Sequence, residues 1–184
     1  QRKIATVLYT VDRAIEKTEH IINHIKNLRK ATIDELFTSG YERHFKQHID
    51  YIGPREVEYP SGWDIVELGN LTKKITKGKT PTSYGYDYTD SGVNFIKVES
   101  ILESGKFDKS EFDHIGEEAH NHLSGSELIA GDILFSIAGA LGKVAQIDES
   151  VLPANTNQAL ALIRIDDPRV LPEYIRRSSR YIIT

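Results

Sequence analysis

Apolar residues recur with a heptad-like rhythm through positions 1–37, where neither proline nor glycine interrupts the chain. With Ile4 at position a, the a series runs Ile4, Val11, Thr18, Ile25 and Thr32, and the d series Val7, Ala14, Ile21, Leu28 and Glu35. Position e is also apolar at Leu8, Ile15, Ile22 and Leu36. The pattern predicts one long helix with an a/d/e stripe, wider than the seam of a two-stranded zipper. Thr18, Thr32 and Glu35 on that stripe argue for a looser bundle, or one that frays toward its C-terminal end. At 1.5 Å per residue such a helix spans roughly 55 Å. An isolated globule has little use for so long an apolar face, so a partner helix is expected to cover it, with Ile4, Val7, Leu8, Val11, Ile15, Ile21, Ile22, Ile25 and Leu28 carrying the pairing. The competing expectation is a core helix packed on its own domain.

The pattern changes at Thr38-Ser39-Gly40, a helix-stop signal. Residues 41–59 are mixed and dotted with aromatics, closing with Gly53-Pro54 and Pro60-Ser61-Gly62. They read as a connector with one helical turn. From Trp63 onward, short β elements are predicted at 64–68, 93–98 (VNFIKV), 132–137 (DILFSI), 143–147 (KVAQI) and 159–165 (ALALIRI). Residues 117–123 read as a short helix, and 172–177 begin another with proline in its first turn. The expected class is α/β of the α+β kind: a spacer helix over 1–40, a connector over 41–60 and a mixed domain over 61–184. No internal repeat is visible.

Composition narrows this only slightly. At 39% hydrophobic and 27% charged, the 184 residues fit an ordinary globular chain, one domain or a domain plus an arm. With no cysteine there is neither a disulfide nor a thiolate metal site, which is compatible with the cytoplasm, the expected location. No apolar run approaches a membrane span, and the first ten residues lack a signal-peptide pattern. The net charge of −4 means that nucleic-acid binding must rest on a local basic patch.

A search for catalytic motifs returns absences. Gly142-Lys143 has Ile137 where a P-loop needs its first glycine and Val144 where it needs Ser or Thr. No Gly-x-Gly-x-x-Gly follows a strand, and no Gly-x-Ser-x-Gly elbow is present. No acidic residue stands two positions before a lysine, as a common metal-dependent nuclease site requires, and no two prolines are adjacent, as in an adenine-methyltransferase signature. Histidines raise a metal alternative: His20 and His24, and His44 and His48, are four apart, while His120 and His122 follow Glu117 and Glu118. His20 and His24 fall on c and g, the polar flank, where solvated helix histidines are the plain reading.

Basic and aromatic residues cluster more suggestively. Lys73, Lys74, Lys77 and Lys79 lie within seven residues, followed by Thr80-Pro81-Thr82-Ser83 and then by Tyr84, Tyr86 and Tyr88 in alternation. Ammonium groups beside small hydroxyls and planar rings suit phosphate contact and packing on bases or sugars. The plain alternative is a solvated lysine turn with a tyrosine-bearing strand. A second polar run, Asn155-Thr156-Asn157-Gln158, offers amides able to make bidentate contacts with adenine, or simply to cap turns.

These residues sit in segments that resemble a known family. The run QRKIATVLYTVDRAIEKTEHIINHIKNLRKATIDELFTSG resembles the conserved helix of the specificity (S) subunit of type I restriction–modification systems. PSGWDIVELGNLTKKITKGKTPTS, VNFIKVESI, and LIAGDILFSIAGALGKVAQI with ANTNQALALIRI resemble the start, middle and late core of one of its target recognition domains. The resemblance covers most of the chain and is most specific in the helix and from Gly131-Asp132-Ile133-Leu134 to Asn157-Gln158. It implies a non-catalytic subunit in which two recognition domains, paired through antiparallel helices, each read one half of a bipartite double-stranded DNA target. It implies docking of methyltransferase subunits, which carry S-adenosylmethionine and modify adenine N6, and of restriction subunits that cleave. No cofactor and no metal would belong to this chain, and no membrane would be involved.

Within that implication, Lys73, Lys74, Lys77 and Lys79 are candidate phosphate contacts, and Thr80, Ser83, Tyr84 and Tyr86 candidate readers of base edges or groove shape. Asn155, Asn157 and Gln158 rank below them. Against the family pattern, the chain holds one helix and one recognition domain instead of two of each, and residues 176–184 (RRSSRYIIT) do not match the expected continuation. A fragment, a truncated product or a half-subunit that homodimerises is therefore expected. Two other classes stay open: an oligomerisation scaffold with a head that no longer reads DNA, and a small metal-dependent enzyme built on His120, His122 and Glu118.

Overall fold

A computed structural model describes residues 1–40 and 47–182. The chain forms two compact units, Gln1–Ile65 and Val66–Thr184. The first is built on α1 (Arg2–Ser39), whose end coincides with Gly40, at φ 76°, where the Gly40 N–H donates to Leu36 O at 3.1 Å. Glycine reaches that left-handed φ without a Cβ penalty, which explains the sharp stop. The threonines on the helix turn their hydroxyls back onto it: Thr18 donates to Ala14 O at 2.7 Å and Thr32 to Leu28 O at 2.9 Å. That bonding makes a β-branched polar residue tolerable at an a position. α1 has no buried residue, and its apolar stripe is exposed from Ile4 to Leu28. The self-packed core helix is therefore not what forms.

Residues 47–60 correct the expectation of a connector with a helical turn. They form an antiparallel hairpin of β1 (Gln47–Ile52) and β2 (Arg55–Pro60), with Ile52 opposite Arg55 across Gly53-Pro54. Gly53 takes φ 61°, the positive value that a two-residue hairpin turn needs at its first position. His48 stacks on Tyr59 at 5.9 Å between ring centroids, and the Tyr51 hydroxyl donates to Glu56 at 3.0 Å. Trp63 meets Phe37 of α1 edge-on at 6.1 Å.

The second unit holds two sheets. One has the order β4 (Tyr88–Thr89), β6 (Asp113–Ile115), β5 (Val93–Ile96), β10 (Ala154–Thr156), β7 (Glu127–Leu128); β10 runs parallel to β5 and the other pairs are antiparallel. The other is fully antiparallel in the order β3 (Thr72–Lys77), β11 (Leu160–Ile165), β8 (Ile133–Ser136), β9 (Val144–Gln146). The main core lies between them and draws Ile96, Leu128 and Ala154 from the first and Leu134, Ala145, Leu160 and Leu162 from the second. α2 (Glu117–His122) covers the outer face of the first sheet, where Val93, Phe95 and Ile115 meet Ala119 and Leu123. α3 (Pro172–Ile182) lies on the outer face of the second, where Ile175 joins Ile133, Val144 and Ile163.

These layers explain the sequence pattern. In β8, Leu134 points to the central core while Ile133 and Phe135 face α3, so DILFSI reads as a continuous apolar run. The predicted strand at 64–68 does not form; irregular chain leads there into a 3₁₀ turn at Leu68–Leu71. The strand next to it is β3, whose lysine-rich TKKITK sequence suits a sheet edge, where charge discourages further pairing. Asp132, fully buried at the start of β8, accepts Arg164 Nε and Nη2 at 2.7 Å each and Ile129 N–H at 2.9 Å. This is the paired, hydrogen-bonded setting that a buried carboxylate needs. The pairing with Asp132 in turn raises the Arg164 guanidinium pKa.

Candidate nucleic-acid interface

The two polar runs flagged in the sequence meet in space. β3 ends at Lys77, and the chain then crosses the turn between β10 and β11: Gly78 N–H donates to Leu160 O at 3.2 Å and Lys79 N–H to Thr156 O at 3.0 Å. Only glycine fits this crossing, since a Cβ on Gly78 would lie 2.1 Å from Thr156 O and 2.3 Å from Asn157 O. Beyond it, Pro81, buried, opens a 3₁₀ turn at Pro81–Tyr84 that closes on Gly85 at φ 82°. The Thr80 hydroxyl donates to Gln158 Oε1, 78 residues away in sequence.

The result is a shallow recess of about 370 Å³ lined by Thr76, Lys77, Gly78, Lys79, Thr80, Ser83, Tyr84 and Gln158. Its lining carries two ammonium groups, three hydroxyls, a phenol and a carboxamide, and no acidic side chain. Lys79 Nζ lies 5.5 Å from the centroid of the Tyr84 ring, within cation–π range. An open surface of this kind suits an extended polyanion better than a small substrate that must be shut away from water.

The remaining candidates divide. Lys73 and Lys74 also lie on β3, but side chains alternate across a strand. Lys73 and Lys77 therefore share one face, and Lys74, opposite Arg164, lies on the other. Tyr86 sits outside the recess, half-buried against the core under α2, with its ring 5.3 Å from that of His122. Tyr88, third in the alternation, turns to Phe95 at 5.5 Å, and burial, then Asp113, pushes its phenol pKa up. The tyrosines thus do not form one strand face. Asn157 accepts Ala159 N–H at 3.1 Å and shapes the turn.

Asn155 is corrected as a candidate DNA contact. It is fully buried on β10, a central strand, with its amide donating to Leu123 O at 3.1 Å and Ser126 Oγ at 3.3 Å. Its Oδ1 lies 2.5 Å from His120 Nδ1, and an amide oxygen only accepts, so that ring nitrogen carries the proton. Every polar atom of the Asn155 side chain is committed inside the fold.

The histidines do not converge on a metal. His120 is turned into Asn155, His122 lies between two tyrosines, and His24 Nδ1 contacts His20 O at 3.2 Å. His44 lies outside the described residues. Among the described residues no three His, Cys, Asp or Glu side chains are grouped to hold an ion, and no helix is long and apolar enough to cross a membrane. Two contributors escaped sequence reasoning. Gly78 was visible only as the middle of Lys-Gly-Lys, and His122 only as part of a histidine pair.

No protein-family model matches the chain. Over 98 residues it is 33% identical to the putative type I restriction enzyme MjaX specificity subunit of Methanocaldococcus jannaschii, a stretch covering 53% of this chain and 22% of that protein. Over 182 residues it is 28% identical to the type I restriction enzyme EcoBI specificity subunit of Escherichia coli, covering 94% and 35%. Its sequence relatives are type I specificity subunits. The chain spans about a third or less of the length of these two relatives. Among solved structures, the HsdS subunit from Thermoanaerobacter tengcongensis aligns over 94% of this chain and 41% of that one, at 15% identity and a TM-score of 0.48. A chain from a study of complex assembly and conformational transition in a type I R-M system aligns over 93% and 42%, at 16% identity and a TM-score of 0.45.

Proposed function

We propose that this chain is a DNA-sequence-recognition part of a type I restriction–modification enzyme, with no catalytic site of its own. The unit Val66–Thr184 would read one half of a bipartite duplex target. α1 would pair with another helix, in a second copy or a second half, and dock methyltransferase subunits carrying S-adenosylmethionine, with restriction subunits joining them.

The observation that carries this reading is the meeting of Lys77, Lys79, Thr80, Ser83, Tyr84 and Gln158 on one open recess, in a chain whose relatives are specificity subunits. DNA readers need cations that set position on phosphates and rigid polar groups that face base edges. The lysines supply the first, with Lys73 further along the Lys77 face of β3. The hydroxyls, the phenol and the Gln158 amide supply the second.

The test is co-purification with a cognate type I methyltransferase subunit, followed by sequencing of adenine methylation in a host carrying the pair and competition binding with the site so defined. The complex should prefer that site over scrambled duplexes. Lys77→Gln or Lys79→Gln should weaken binding to all sequences and flatten the slope of log affinity against log salt by about one. Equal binding to every duplex would leave α1 as an oligomerisation scaffold and end the recognition reading.

A further inference from the structure

We propose that His122 is a positioning residue of the DNA-reading surface, holding the Tyr84 ring where it can meet a base pair or sugar; the inference rests on the DNA-recognition reading above. The His122 ring lies 5.4 Å from that of Tyr84 and 5.3 Å from that of Tyr86, with interplanar angles of 57° and 50°. Both separations fall in the range where aromatic pairs attract. Tyr84 is about half exposed and lines the recess, with Lys79 Nζ at its face, whereas Tyr86 is packed against the core under α2. His122 therefore bridges an anchored ring to one that is free to face a ligand. Without it, Tyr84 keeps the contact with Lys79 but loses its ring neighbour.

The position of His122 is itself set from inside the fold. His120, on the same short helix, bonds the buried Asn155, whose amide also ties Leu123 O and Ser126 Oγ just beyond that helix. Asn155 directly precedes Thr156, whose carbonyl accepts the Lys79 N–H. One buried amide thus registers α2 against the strand end that holds the lysine loop. Lys79 and Tyr84, on one loop, keep a common frame with His122, which comes from a different part of the chain.

The test uses the full chain with its methyltransferase partner and compares wild type, His122→Ala and His122→Phe. Each is assayed for its cognate-to-scrambled affinity ratio, its salt slope and its thermal unfolding. Loss of the ring contact that holds Tyr84 should lower the ratio for His122→Ala by about two- to tenfold. The salt slope should stay put, because no phosphate contact is removed, and His122→Phe, which keeps a ring, should restore the ratio. An unchanged ratio in a discriminating complex overturns the inference and leaves the recognition reading standing. So does a Phe variant as poor as the Ala variant with the slope flattened by about one, which would make the imidazole a phosphate contact. A wild-type complex that does not discriminate removes both. Should His122→Ala unfold, the Phe variant decides alone: a wild-type ratio supports the inference and a lowered one overturns it.

Discussion

Gly78→Ala tests the joint on which the candidate site depends. The added Cβ would lie 2.1 Å from Thr156 O, about 0.9 Å inside the 3.0 Å that real Cβ atoms essentially never breach, and 2.3 Å from Asn157 O. Both obstacles are backbone, so no side chain can swing away. The chain after β3 must instead lift from the β10–β11 turn, giving up the bonds from Gly78 N–H to Leu160 O and from Lys79 N–H to Thr156 O. Two such bonds contribute about 1 kcal/mol each. Forcing backbone apart in a packed region costs about 1–3 kcal/mol more. The expected loss is about 3–5 kcal/mol, a large part of the 5–15 kcal/mol typical of a domain. Tryptophan fluorescence is the wrong probe, since the one tryptophan, Trp63, belongs to the other unit. Urea unfolding followed by hydrogen exchange in peptides from β3, β8 and β11 reports on the right one. A stability within about 0.5 kcal/mol of wild type would refute the claim that glycine is required by close approach.

Three further outcomes are expected. Asp132→Ala should cost about 3–5 kcal/mol by the same measurement, because Arg164 is left partly buried without its fork partner. Adding Arg164→Met should recover part of that loss, and a penalty for Asp132→Ala below about 1 kcal/mol would contradict the assignment. Glu173, held first by Arg176 and then by Arg177, has its carboxyl lowered from 4.5 to about 2. Its folded value lies below its unfolded one, so the stabilisation is complete above pH 4.5 and is lost as pH falls toward 2. At 44% side-chain exposure it is worth only a few tenths of a kcal/mol. Exchange of α3 amides should show this acid dependence in wild type but not in Glu173→Gln. Ile22→Asp, in the exposed stripe of α1, should weaken helix pairing or methyltransferase docking by about 10- to 150-fold, the equivalent of one buried aliphatic side chain. Analytical ultracentrifugation of the pure chain and of the complex reads this, while unfolding of the Val66–Thr184 unit should stay unchanged.

What could be read ahead of the fold depended on how local its cause was. The heptad-like rhythm and the stop at Thr38-Ser39-Gly40 located α1 almost to the residue, because helix bonds and caps are made within a few positions. The strands at Val93–Ile96, Ile133–Ser136 and Leu160–Ile165 were legible because burial on both faces leaves an apolar run in the sequence. β3 and the hairpin escaped for the opposite reason. An edge strand with three lysines in six positions and a solvent-facing ribbon with few buried positions look like loops until their partners are known.

Sequence alone therefore determined the long amphipathic helix, the α+β character of the remainder and the basic, hydroxyl and aromatic residue types available to a polar surface. The tertiary structure decided which of those residues share a surface. It brought Thr80 to Gln158, 78 positions apart, and withdrew Asn155 into the interior. Both results follow from the place of β10 between β5 and β7 and of β11 beside β3, and strand pairing over such distances leaves no periodic trace along the chain.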